Sequence, residues 1–250
     1  MKYIRTYGDY NSWKLDYSDT SRGFRLKPTL YRYPHGKDNI LLELDDPRKH
    51  GDSTYMEIYL DSDVEFSFYI SNAPGDTQTT MTCTIDWGDG TVETKTITKD
   101  DKGFKLAHNY VANSYKIELY NVERDYSIPG DTTNYAPLVS HPSTVNRLIL
   151  GNGVTRIGPH AFDACMSLTS VHIPESVNSM SEYAFWYCYS LTYISLFSST
   201  APSIDDEYDG YTMAFENFPT NGTLHIKPGA TGYSWWLNVL PSGWVITEDL

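Results

Sequence analysis

A mainly β protein in two unlike parts is what this sequence predicts, and three observations predict it. Between about residues 54 and 123 apolar residues alternate with period two in six short runs, each bounded by Gly, Asp, Asn or Pro. From 148 onward the period changes: Leu148, Val171 and Ile194 stand 23 residues apart, and Leu224 follows after 30. Aromatic residues make up 14% of the 250, Tyr alone supplying 21, while Gly and Pro are ordinary in number. That composition suits ordered β structure with Tyr-laden surfaces, not disorder.

Taken in order, residues 1–53 read as an N-terminal arm. Pro28, Pro34 and Pro47 argue against helix there, and the run from Asn39 to Asp46 is an apolar strand, one of two or three. The six runs that follow are Tyr55 to Leu60, Val64 to Ile70, Thr80 to Trp87, Thr91 to Thr98, Phe104 to His108 and Ser114 to Asn121. Six short strands at close, regular spacing predict an immunoglobulin-like β-sandwich over 54–123. Residues 124–144 are turn-rich and without period, a linker; Ser127 to Tyr135 could instead wrap over the next part as a cap.

The last part, 145–250, has two apolar columns. Leu150, Ile173, Leu196 and Ile226 repeat the first column two residues on. Val154/Val177, Ile157/Met180, Ala161/Ala184, Phe162/Phe185, Cys165/Cys188 and Leu168/Leu191 keep the offset of 23. Self-similarity at a period of about 20–29 marks a leucine-rich-repeat solenoid, one short strand plus a turn per coil. Such coils bury their apolar faces only by stacking, and the stack presents an extended surface. The fold class is therefore mainly β: an immunoglobulin-like β-sandwich plus a short leucine-rich-repeat solenoid with a C-terminal cap.

Two stretches in the first half, Ile85 to Thr91 (IDWGDGT) and His108-Asn109-Tyr110 followed by Ser114 to Leu119, resemble the polycystic-kidney-disease-type (PKD) immunoglobulin-like domain. Gly88 and Gly90 permit the tight turn, Asp89 can bond its own backbone there, and Trp87 plugs the core. The resemblance implies a spacer or adhesive module without catalysis. In the second half, Gly153 to Pro174 resembles the BspA-type leucine-rich repeat. The next coil keeps Ala184-Phe185 and Cys188 to Thr192 but departs from the family at Met180-Ser181, where Ile-Gly is usual. In the third coil a seven-residue insertion, Asp205 to Tyr211, lengthens the step from 23 to 30, and Phe215 takes the place of Phe162 and Phe185. Asn221 to Gly229, then Tyr233, Trp236 and Trp244 to Ile246, resemble that family's C-terminal cap.

A net charge of −13 excludes nucleic acid as a partner, because phosphate binding needs a basic face. The charge is uneven: residues 1–50 carry ten Lys/Arg against seven Asp/Glu, the remainder nine against twenty-five. The basic arm either docks on an acidic partner or folds back on its own acidic body. No stretch reaches the roughly 18 apolar residues of a membrane span, and the first residues lack the apolar run of a secretory signal. Cys83, Cys165 and Cys188 are too few and scattered for a disulfide framework or zinc site; Cys165 and Cys188 should stack in the interior, with a bridge between them left open.

No nucleophile elbow, zinc-binding helix, phosphate loop or dinucleotide fingerprint is present, so no enzyme is expected, and no cofactor or metal. Asp86 and Asp89 offer calcium too few oxygens and read as turn formers. His108 reads as a structural hydrogen-bonding residue. The candidate binding residues are Tyr183, Trp186, Tyr187, Tyr189 and Tyr193, more aromatics than one coil can bury, together with Tyr208 and Tyr211 in the acidic insertion. The expected function is surface recognition or adhesion without catalysis. The leading form is a phage virion-associated protein on the particle surface, held to a virion protein through its arm and binding a protein or glycan of a bacterial surface. A secreted bacterial cell-surface adhesin and a purely structural decoration protein are the alternatives, and self-association into a homo-oligomer is compatible with each.

Overall fold

The computed structural model describes residues 53–131, 136–137, 139–205, 215 and 218–250, and residues 52–250 form one compact unit. The expected arm, apart from Ser53, lies outside the described residues.

The first half supplies β1 (Thr54–Tyr59), β2 (Val64–Asn72), β3 (Thr80–Asp86), β4 (Val92–Thr98), β5 (Phe104–Tyr110) and β6 (Ser114–Tyr120), within two residues of each expected run. Their inward positions form an aromatic core. Phe66 and Trp87 are fully buried, and the Tyr110 hydroxyl donates to the Trp87 carbonyl at 2.7 Å. His108 stacks on Trp87 and shares a 2.8 Å hydrogen bond with Asp89, as its structural reading expects. Asp86 and Asp89 each accept a backbone N–H two residues on, from Gly88 and Thr91, which closes the hairpin.

The second half supplies β10 (Val145–Ile149), β11 (Val154–Ile157), β12 (Ser170–Ile173), β13 (Ser179–Ser181), β14 (Tyr193–Leu196), β15 (Ser203–Asp205), β16 (Thr223–Ile226) and β17 (Val245–Glu248). Each full coil gives one strand to each of two parallel stacks. Leu148, Val171, Ile194, Leu224 and Ile246 stand in register along one stack, and Ile157, Met180 and Ile204 along the other. The columns counted in the sequence are thus the inward ladders. Between the stacks the rings of Phe162, Phe185 and Phe215 stack at 5.3 and 6.2 Å, with Cys165, Cys188, Leu168 and Leu191 fully buried around them. Both thiols are free; burial lifts them well above the ordinary thiol pKa, and Cys188 donates to the Phe162 carbonyl.

The joining of the halves departs from expectation. A separate sandwich, a linker and a solenoid give way to two large mixed sheets shared by both halves, ordered β17-β16-β14-β12-β10-β1-β6-β3-β4 and, with β7 at Tyr126–Ile128, β15-β13-β11-β7-β2-β5. Strand β7 lies inside the expected linker; it pairs with β11 in parallel and with the end of β2 antiparallel. The short β8 (Gly130–Asp131) and β9 (Ala136–Pro137) pair with each other. An open strand edge exposes unpaired N–H and C=O groups, and the first coil would present one on each stack. Antiparallel pairing of β1 with β10, and insertion of β7 beside β11, satisfies both. Thr54 and Tyr126 seal the seam: their hydroxyls lie 2.6 Å apart, and the Gly151 N–H donates to Thr54 Oγ1.

At the far end Tyr233, Trp236 and Trp244 of the expected cap are buried, together with Leu240. Trp236 packs on Phe215, and Trp244 lies so close over Gly222 that a Cβ there would sit 2.2 Å from its ring.

Candidate recognition surface

Coil interiors consume a fixed set of positions, and what remains must face outward. In the second coil Ala184, Phe185, Cys188 and Leu191 are fully buried, which leaves Tyr183, Trp186, Tyr187 and Tyr189 on the outer side of the turn. The structure brings these four together as a continuous row. Tyr183 and Trp186 have ring centres 5.1 Å apart, Trp186 and Tyr187 stack at 4.2 Å, and Tyr187 and Tyr189 follow at 5.6 Å. Tyr189 is 52% exposed and ends the row; the others are half-buried.

The first coil supports the row. His160 occupies the position equivalent to Tyr183, 23 residues earlier, and the two rings stack at 4.9 Å. His160 Nδ1 lies 2.9 Å from Asp163 Oδ2, both side chains buried. Burial raises the Asp163 carboxyl above its usual range, against the opposing bond with His160. Sequence reasoning missed this pair, although the offset of 23 beneath Tyr183 carried the signal.

The turn is held in an unusual conformation. His160 and Tyr183 both have φ of 54°, and Ala164 and Tyr187 both have φ of 57°. L-residues in this left-handed region cost roughly 1–2 kcal/mol each. Coil-to-coil hydrogen bonds, Phe162 N–H to the Ala184 carbonyl and Ala164 N–H to the Trp186 carbonyl, hold it at 2.8 Å each. The left-handed φ at Tyr183 and Tyr187 sets the directions in which their Cα–Cβ bonds leave the backbone.

Tyr193 does not join the row. It points outward from β14 on the nine-stranded sheet, stacked on His225 at 4.2 Å with His172 at 5.4 Å. Burial raises its phenol pKa, the Asp249 carboxylate adds to this, and Arg147 opposes it. His225 Nδ1 is 2.8 Å from Asp249, and His172 Nδ1 is 2.7 Å from the buried Ser195 hydroxyl. This second outward cluster was legible only as the positions alternating with the inward column. Tyr208 and Tyr211, with most of their insertion, lie outside the described residues.

In chemical terms the row offers flat π faces, polarised ring edges and phenol hydroxyls on an otherwise hydrogen-bonded backbone. Such groups give large contact area at small entropic cost. Among the described residues no group of three metal-ligating side chains converges, and no helix is long and apolar enough to cross a membrane.

A solenoid of stacked two-strand coils, capped at one end and continued into a β half at the other, is the class this geometry defines. Its repeat segment, residues 140–221, matches the family model of the BspA type leucine rich repeat region, in six copies. The match covers about a third of the chain and agrees with the repeat columns seen in the fold. No curated protein and no solved structure matches the chain.

Proposed function

We propose that this chain is a non-enzymatic surface-recognition protein, and that the aromatic row of the second coil is its contact surface for a glycan or protein of a bacterial surface. The single observation that carries this is the asymmetry between coils. At the positions that hold Asp163, Ala164 and Met166 in the first coil, the second holds Trp186, Tyr187 and Tyr189. Folding does not call for those rings, since Phe162/Phe185, Cys165/Cys188 and Leu168/Leu191 are buried alike in both coils, and where the first coil buries His160 and Asp163 the second leaves Tyr183 and Trp186 half-buried. The BspA-type repeat supports a recognition or adhesion role.

In this reading the PKD-like half, residues 54–123, is a spacer or adhesive module, and the basic arm, 1–53, is the anchor. The carrier is either a bacterial cell surface or a virion, and the repeat match favours the cell-surface adhesin at least as well. Binding of the full chain to intact bacterial cells and to a glycan array tests the reading. Binding that falls at least tenfold in Tyr187→Ala/Tyr189→Ala is expected; binding to neither, or equal binding by the variant, would refute it. Immunogold labelling of cells and of purified particles from the source then assigns the carrier.

A further inference from the structure

On the outer face of the six-stranded sheet, where β2, β7, β11 and β13 lie side by side, there is a groove of about 380 Å³. Its lining includes Ser71, Asn72, Ser127, Arg156, Ser181 and Glu182. The volume lies at the lower end of small-ligand sites, roughly 300–1,000 Å³. Arg156 reaches across to the next coil and donates to Ser181 Oγ at 2.9 Å. Ser181 stands where the first coil has Gly158, so this hydroxyl is an addition to the repeat pattern.

The polar groups select the ligand chemistry. Arg156 and Glu182 cancel in charge, and three serine hydroxyls accompany them. Ser127 and Asn72 each carry a buried polar atom, Oγ and Oδ1, with no hydrogen-bond partner among the described residues. The Asn72 amide cannot be flipped, because Nδ2 donates to the carbonyls of both Asp76 and Gln78, at 3.0 and 2.9 Å. Oδ1 is therefore an acceptor that only a donor can match. A carboxylate or phosphate ligand brings acceptors alone, whereas a hydroxyl brings both.

The groove also adjoins the aromatic row along the chain. Its lining ends at Pro159 and Glu182, the immediate neighbours of His160 and Tyr183, whose rings stack on one another. We propose that the groove is the subsite for a neutral, hydroxyl-rich ligand, one or two sugar units of a glycan whose following units run onto the aromatic row. The proposal rests on the recognition reading above and adds to it the ligand class and the residues that select it.

The test uses the full chain on an array of neutral and uronic-acid-bearing oligosaccharides, compared with Ser71→Trp and Arg156→Gln. Ser71 is half-buried at the groove, so Trp there fills the space without entering the core. Binding of a neutral oligosaccharide, weakened at least tenfold in both variants at an unchanged unfolding midpoint, is the expected result. If Arg156→Gln fails to fold, Ser71→Trp carries the comparison alone. Equal binding by the variants, while Tyr187→Ala/Tyr189→Ala loses it, overturns the groove and leaves the recognition reading standing. Preference for uronic-acid glycans overturns the ligand class. Binding to intact cells with no array signal does the same, and binding to neither removes both readings.

Discussion

The first and second coils of the solenoid are 23 residues apart and alike inside, yet different outside. Phe162 and Phe185, Cys165 and Cys188, and Leu168 and Leu191 occupy the same buried places. The remaining turn positions read His160 and Asp163, both buried, then Ala164 and Met166 in the first coil, and Tyr183, Trp186, Tyr187 and Tyr189 in the second. Folding explains the shared set, because each coil must offer its neighbour the same apolar face. The differing set has to be explained by something outside the fold. Half-buried and exposed aromatics gathered in one row suit a partner-binding surface, and scattered exposure would not have raised the question.

The comparison can be broken from the inside first. Phe185 lies between Phe162 and Phe215, so Phe185→Ala should open a cavity and cost about 3–5 kcal/mol in urea unfolding. A smaller loss would mean that the ladder carries less of the fold than its burial implies. Gly130 tests how tightly β8 is laid against the first coil. A Cβ there would fall 1.3 Å from the Pro159 carbonyl oxygen, so Gly130→Ala must displace backbone and should cost roughly 1–3 kcal/mol.

The turn positions sharpen the contrast in the opposite direction. Ala164 has φ of 57°, which glycine adopts freely, so Ala164→Gly should stabilise by about 0.5–1 kcal/mol after glycine's entropic cost. In a chain of this size that is a rise of about 1–4 °C in Tm by calorimetry. Tyr189 projects into solvent at the end of the row, and Tyr189→Ala should leave stability within about 0.5 kcal/mol. The pH dependence of the supporting pair has a definite sign. The folded Asp163 carboxyl has a raised pKa, so between its unfolded and folded values the native state binds more protons. Its contribution therefore favours the fold below the unfolded value, near 3.8, and is lost as pH rises through the folded one. Asp163→Asn should abolish that slope in urea titrations run across pH 4–7, and an unchanged slope would assign it elsewhere.

Much of this architecture was legible in residue spacing. The six strands of the first half followed from period two, and the coil interior from columns at an offset of 23, because both periods are imposed locally by burial. The insertion arithmetic placed Phe215 correctly on Phe185. The seam between the halves was not legible: β1 meeting β10 and β7 meeting β11 are pairings of strand edges, which leave no periodic trace in either partner. The candidate site was half legible. Surplus aromatics in one coil pointed to Tyr183, Trp186, Tyr187 and Tyr189, but a count cannot show that Tyr193 leaves on another face. The groove was invisible, since Asn72, Ser127, Arg156 and Ser181 come from four strands spread over more than a hundred residues.

The central claim is that the interior columns make the fold while the aromatic row of the second coil makes the contact. One paired measurement on the full chain tests it: binding to intact bacterial cells and the urea unfolding midpoint, for the natural sequence and for Tyr187→Ala/Tyr189→Ala. At least a tenfold loss of binding, at a midpoint that barely moves, is the expected result. Unchanged binding, or a loss of binding that tracks a loss of stability, would contradict it.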